Sequence, residues 1–461
     1  MITKIIKIVF VSILIIGIIT GCSLVCNDKK LIGSDDGASN DASVDISAND
    51  SQNDIDTTQD DSDSATEDVD TDLDMTDEND LDIVQPNESG SYDIDIEGID
   101  QTADEGFNPL SEKNSAILKK IAGMTIEEKI GQFFIVDLYS LNDDSECTEI
   151  TDILVSKFND YHIGGVIFFG ANILNPTQVI SFINDMQDAS DIPLFIAVDE
   201  EGGIVRRIGS NEAMRISQVP TAIDIGASGD TDYAYTLAYN MGLEIKNLGF
   251  NMDFAPVADV NTNPDNPIIG KRAFSDDEAV VADMVVAFAS GLQDAGVLAV
   301  AKHFPGHGDT SLDTHTGDVY VEHDMARLES IELVPFRAAI DMGIGGIMSA
   351  HIILENVTGT NSPATFSKEL LIDLLRDTYG FTGLVITDAL TMGAVSDRYS
   401  TYEDCVNAIL AGNDILLMPD DLEETYNGIM DAYSSGKISE ARINASVYRI
   451  LAAKYDLGLE L

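Results

Sequence analysis

The folded part of this chain is predicted to be an α/β domain, a (β/α)8 TIM barrel. Three observations carry that prediction: a break in composition near Phe107, eight short β-branched or aromatic runs beyond it, and longer amphipathic stretches between those runs. In order, the runs are FFIVD ending at Asp137, VIFF at Phe169, LFIAVD at Asp199, NMDFAP at Pro256, LAVAKHF at Phe304, GIMSAH at His351, LVITD at Asp388 and ILLM at Met418. The stretches between them, such as Pro176 to Ala189 and Asp277 to Ala295, are each long enough for one helix. A closing helix is predicted around Ile443 to Tyr455. Residues 107–461 suit one barrel with loop insertions. No internal repeat is visible. Several runs end in a polar group, namely Asp137, Asp199, His351 and Asp388, and Lys302 and His303 stand just before the end of the fifth. In such a barrel the C-terminal ends of the strands face the active site, so these residues are the first candidates for chemistry.

The remainder of the chain reads differently. Lys4 and Lys7 precede an apolar run from Ile8 to Ile19, then Thr20, Gly21 and Cys22, which is the anatomy of an export signal. The run is shorter than the roughly 20 residues that a membrane span needs, although neighbouring residues could lengthen it into a retained anchor helix. The Ile19-Thr20-Gly21-Cys22 ending resembles the lipobox of bacterial lipoproteins. That resemblance implies a signal peptide over 1–21, with Cys22 as the acylated mature N-terminus; an ordinary secretory signal with an incidental cysteine is the alternative. Residues 22–106 are rich in Asp, Ser, Thr and Asn, with Lys29 and Lys30 as the only basic residues. Such a stretch cannot form a core, and a disordered acidic tether of this length spans at least about 50 Å. A partner-binding acidic tail is the other reading.

The net charge of -56 argues against nucleic acid or an anionic membrane surface as ligand, and an uncharged or sugar substrate fits better. Membrane contact is then expected only through the N-terminal lipid anchor. The four cysteines, at 22, 26, 147 and 405, have neither CxxC nor metal-ligand spacing, so no disulfide framework is implied.

The densest chemical motif is KHFPGHGDTSLDTH, residues 302–315, which holds three of the chain's six histidines. Gly306 and Gly308, with Pro305, predict a loop after the fifth strand. Other segments accompany it: MTIEEKIGQ (124–132), GGVIFFGANI (164–173), VDEEGGIVRR (198–207), NMDFAPVADVNTNP (251–264), GKRAF (270–274), IMSAHI (347–352) and LVITDALTMGAV (384–395). Together, over about 115–457, they resemble the β-N-acetylglucosaminidase (β-N-acetylhexosaminidase) branch of glycoside hydrolase family 3.

That resemblance implies a retaining exo-hydrolase of terminal β-linked GlcNAc. Asp388 would be the nucleophile, because a retaining glycosidase needs an ionised carboxylate to form a glycosyl-enzyme. The alternative is an aspartate that caps the following helix. His315, oriented by Asp313, would serve as acid and then base, since an imidazole titrates near pH 6.5. Asp199, Arg207, Arg272, Lys302 and His303 would hold the sugar hydroxyls and acetamido group, the alternative for each being a structural ion pair. His351 would either line the pocket or support it. Ala389, Ile204 and Gly317-Asp318-Val319 depart from the usual pattern and bear on fine specificity. Some relatives carry a second α/β domain after the barrel; with the chain ending at Leu461, every catalytic group is expected from the barrel. No cofactor or metal is expected. His303, His307, Asp309 and His315 could be imagined as metal ligands, but no HExxH spacing is present. The expected substrate is a GlcNAc-MurNAc muropeptide outside the cytoplasmic membrane. A catalytically silent muropeptide-binding lipoprotein and a family phosphorylase are the competing readings.

Overall fold

The computed structural model describes residues 112–461 apart from 313, 315, 316 and 397–399. The expected signal peptide, Cys22, the tether, and the Asp313 and His315 pair therefore lie outside the described residues.

Eight parallel strands form the ring: β1 (Phe134–Asp137), β2 (Gly165–Phe168), β3 (Phe195–Val198), β4 (Met252–Asp253), β5 (Leu298–Phe304), β6 (Gly346–Ser349), β7 (Leu384–Thr387) and β8 (Leu416–Leu417). They follow one another in chain order around the sheet, with β8 beside β1. Between β7 and β8 the ring is completed by an isolated parallel bridge, Ile386 to Ile415, and by the Thr387 N–H, which donates to the Ile415 carbonyl at 3.0 Å. Seven of the eight predicted runs contain their strand whole and the eighth, VIFF, contains all of β2 but Gly165, in the predicted order.

Each run is mainly apolar up to its C-terminal end because both faces of the ring are covered. Side chains alternate between the two faces. Ile135, Ile167, Ala197, Met252, Val300, Met348, Ile386 and Leu417 point into the barrel and fill it. Phe134, Val136, Val166, Phe168, Ile196 and Val198 point outward, where the surrounding helices cover them.

The helices start where local chemistry supplies a cap. Helix α1 (Pro176–Asp188) opens on Asn175, whose side chain accepts the Gln178 N–H, and α2 (Glu278–Asp294) opens on Asp277, which accepts the N–H groups of Ala279 and Val280. The closing helix, α3 (Glu440–Asp456), is longer at its start than predicted because Ser439 caps it and accepts the Arg442 N–H. Its Ile450 enters the floor of the barrel, and its Lys454 donates to Gln132 Oε1 at 2.6 Å, beneath the Phe195 ring.

β4 is shorter than the NMDFAP run. Pro256 has no N–H, which ends the regular ladder. Pairing with β5 continues irregularly: Val300 N–H donates to the Ala255 carbonyl at 2.9 Å, Lys302 N–H to Pro256 at 3.1 Å, and Ala258 N–H to Lys302 at 2.6 Å. This extension brings Asp259 against His303 at the top of the barrel.

Candidate active site

The C-terminal ends of β3 and β5 meet in a network of buried charges. Lys302 Nζ lies 2.8 Å from Asp199 Oδ1 and 2.7 Å from Glu201 Oε1. Arg272 grips the same glutamate with both arms of its fork, Nε to Oε2 at 2.9 Å and Nη2 to Oε1 at 2.8 Å. Burial alone would raise the Glu201 carboxyl, yet Lys302 and Arg272 together bring it down to about 2. Burial would likewise lower the Lys302 ammonium, but Asp199 and Glu201 hold it above its ordinary value. Each member thus keeps its charge because its partners are in place. Arg207 completes the group, with Nη2 3.6 Å from Asp199 Oδ2 and its guanidinium 5.3 Å over the Phe169 ring at the end of β2.

Asp199 and Arg207 flank a small hairpin, Glu200–Gly202 paired with Val205–Arg206. Glu200 pins it: its carboxylate accepts the Ile208 N–H at 2.7 Å and the Gly209 N–H at 3.0 Å. Burial drives this carboxyl up to about 7 against the pull of those amides. Because the folded-state value lies above the unfolded one, the group favours folding at low pH, and that contribution is lost as pH rises between about 4.5 and 7. Melting temperatures of wild type and Glu200→Gln measured across that window are expected to show the wild type declining relative to the variant. The slope is the readout, since the amide also disturbs one backbone bond and shifts the offset.

Beyond β5 the chain turns into the loop predicted from its glycines. Gly306 has φ of +134°, which a side chain resists. Gly308 is required for a different reason: a Cβ there would sit 1.8 Å from the Val260 carbonyl oxygen. Gly308→Ala is therefore expected to push the loop off the segment after β4, at a cost of about 1–3 kcal/mol, measurable by urea denaturation. The loop is tied down further by Thr310 Oγ1, 2.8 Å from His307 Nδ1, and by the Thr262 hydroxyl, which donates to Asp309 at 2.7 Å. Thr314, also buried, accepts the Ala394 N–H on its carbonyl at 3.0 Å, so the loop reaches the segment that follows Asp388.

Asp388 directly follows β7. Its N–H donates to the Ser349 carbonyl at 2.9 Å, and its Oδ1 accepts the Ala389 N–H at 2.8 Å. The next helix starts only at Gly393, so Asp388 is not its cap. Burial would raise the carboxyl, but it is held below the usual carboxylate range. The electrostatic influence of His303 and His351 is the largest opposing cause, and the Ala389 N–H and Lys302 reinforce it.

A family model, Glycosyl hydrolase family 3 N terminal domain, matches residues 125–453. The chain belongs to glycosyl hydrolase family 3. Beta-hexosaminidase A of Pseudoalteromonas piscicida is 36% identical over 372 residues, which cover 72% of this chain and 62% of that one. A solved family 3 beta-N-acetylglucosaminidase from Paenibacillus sp. str. FPU-7 superposes with a TM-score of 0.69 at 37% identity, covering 73% of this chain and 63% of its own. The solved beta-glucoside phosphorylase BglX superposes with a TM-score of 0.66 at 25% identity, over 76% of this chain and 61% of its own. The chain thus spans less than two thirds of each of these three proteins.

Within this family 3 barrel, five residues predicted as sugar contacts, Asp199, Arg207, Arg272, Lys302 and His303, form one linked group. Two polar strand ends serve structure. Asp137 accepts the Ser140 N–H at 2.9 Å and caps a short helix. Both ring nitrogens of His351 are engaged, Nδ1 with Thr365 Oγ1 at 2.8 Å and Nε2 with the Ala389 carbonyl at 3.0 Å, so it braces the backbone beside Asp388. Glu201, Asp259 and Phe169 were not singled out from the sequence. Among the described residues, no group of three His, Cys, Asp or Glu could hold a metal ion.

Proposed function

We propose that the chain is a retaining β-N-acetylglucosaminidase that removes terminal β-linked GlcNAc from peptidoglycan-derived fragments. The observation that carries this reading is Asp388: a carboxylate at the rim of the barrel, held ionised, beside a group of cations and hydrogen-bonding side chains suited to a neutral polyol. Asp388 attacks the anomeric carbon and displaces the aglycone, forming a glycosyl ester. His315 gives its proton to the leaving oxygen and then takes one from the water that attacks the ester, while Asp313 orients the ring. Asp199, Arg207, Arg272, Lys302 and His303 hold the sugar.

The charge network supports a histidine rather than a carboxylic acid in the acid role. A proton donor must be protonated near neutrality. Glu201, at about 2, is not, and Asp199 is tied to Lys302 and Arg207. Glu200 and Asp253 are held up by burial, but both Glu200 oxygens already accept backbone N–H groups and Asp253 is fully buried in the barrel.

In this reading the chain is exported, cleaved before Cys22, acylated there and anchored at the outer face of the cytoplasmic membrane, with residues 22–106 as a spacer reaching wall material. Likeness to beta-hexosaminidases and the export-signal anatomy support it. Among the described residues no helix is long and apolar enough to cross a membrane.

A second reading is favoured by the likeness to BglX: phosphate in place of water in the second step. The full chain incubated with p-nitrophenyl β-N-acetylglucosaminide is expected to release nitrophenol and free GlcNAc at rates that added phosphate leaves unchanged. A sugar phosphate as the main product would select the phosphorylase. No turnover on this substrate or any muropeptide would select the silent receptor.

A further inference from the structure

We propose that Asp259 is a positioning residue that fixes the tautomer of His303, so that His303 Nε2 faces the sugar site as a hydrogen-bond acceptor; its role toward substrate rests on the reading of the site given above. Asp259 is fully buried, and its carboxylate is occupied on both oxygens. Oδ2 lies 2.7 Å from His303 Nδ1, and Oδ1 accepts the His303 N–H at 3.2 Å and the His307 N–H at 2.7 Å. An ionised carboxylate can only accept, so Nδ1 must carry a proton. The other face of the ring is constrained as well: Nε2 lies 3.5 Å from Arg272 Nη2, and a guanidinium can only donate. Only an unprotonated Nε2 suits that neighbour. The ring is therefore wedged between an obligate acceptor and an obligate donor, and these fix one neutral tautomer.

The consequence is chemical. Lys302, Arg207 and Arg272 offer only donors to a sugar, and Asp199 and Glu201 are largely consumed by those same cations. A sugar hydroxyl both donates and accepts. At 3.5 Å the Arg272 contact is long, so the single lone pair of His303 Nε2 is open to a shorter bond from a sugar hydroxyl, and a site built to receive a hydroxyl proton rejects an analogue that lacks it.

Replacing Asp259 by asparagine reverses the wedge. To keep accepting the His303 and His307 amides, the asparagine must point its oxygen at them and its NH2 at Nδ1. That forces the proton to Nε2, where it opposes Arg272. The wrong tautomer at an otherwise intact site is a known way to lose activity.

The test is nitrogen NMR of the histidine-labelled full chain, with His303→Gln assigning the His303 signals. The expected spectrum has the proton on Nδ1 and a pyridine-type Nε2 across the neutral range, exchanged in Asp259→Asn. A protonated Nε2 in wild type, or an imidazolium throughout, overturns the proposal without any use of activity. Kinetics provide the second readout. Asp259→Asn is expected to lower kcat/KM on p-nitrophenyl β-N-acetylglucosaminide about 100-fold. Against a panel of deoxy analogues, that ratio is expected to shrink to less than about threefold for the one lacking the hydroxyl that Nε2 receives. An equal loss on every analogue makes Asp259 merely structural and overturns its role toward substrate. Absence of all turnover in wild type would remove the glycosidase reading while the spectrum still decides the tautomer.

Discussion

Asp388→Ala is expected to reduce turnover of p-nitrophenyl β-N-acetylglucosaminide at least about 10⁴-fold, equivalent to about 5.5 kcal/mol of transition-state stabilisation. The loss is large because the first step has no other described nucleophile in place: Asp199 and Glu201 are held in ion pairs, and Asp259 is fully buried against His303. It is expected to fall on kcat, since in the proposed mechanism the carboxylate acts by bond formation and not by holding the sugar. The folded-state carboxyl lies below its ordinary value, so its ionisation stabilises the fold above the unfolded-state value and that contribution is lost as pH falls through the folded one. Activity is therefore expected to persist on the acid side until the usual carboxylate range has been passed, provided that the acid limb reports Asp388. A pH profile of kcat/KM checks this.

Glu201→Gln is expected to be the most disruptive conservative change outside the nucleophile. Glu201 is the shared partner of Lys302 and Arg272, and all three side chains are largely buried. The amide keeps the shape but removes the charge that neutralises two cations, and breaking a buried pair from one side costs about 3–5 kcal/mol. Urea denaturation should read a loss of that size. The surviving fold should bind sugar poorly, because Lys302 and Arg272 are no longer aligned, and KM should rise more than kcat falls. The double variant Glu201→Gln, Arg272→Met should recover part of the stability by removing one of the uncompensated cations, without recovering KM.

The barrel was legible because its determinants are local. Parallel strands buried on both faces are short apolar runs, and the helices between them begin at Asn175, Asp277 and Ser439, which can cap them. The exception, β4, was overextended because apolar character continues through Phe254 and Ala255 although Pro256 cannot sustain the ladder. Residues at the site were legible where a strand end coincides with a charged side chain, as at Lys302 and Asp388. Glu201 and Asp259 were not, because their meaning lies in partners distant along the chain: Arg272 is 71 residues from Glu201, and His303 is 44 from Asp259. The available signal was position, since each stands in a segment that already contributes a strand end. Gly308 illustrates the same limit. Its loop character was readable from composition, whereas the approach of the Val260 carbonyl that excludes a side chain belongs to the fold.

In the proposed mechanism Asp388 becomes covalently attached to the sugar. A fluorinated N-acetylglucosaminyl donor that forms the glycosyl-enzyme faster than it is hydrolysed should trap that state, and peptide mass spectrometry locates the added mass. Stoichiometric labelling of the peptide containing Ile386, Thr387 and Asp388 is expected, with the sugar on the aspartate and no label in Asp388→Ala. A label on another carboxylate, or inversion of anomeric configuration with no label in an enzyme that turns over freely, would contradict it.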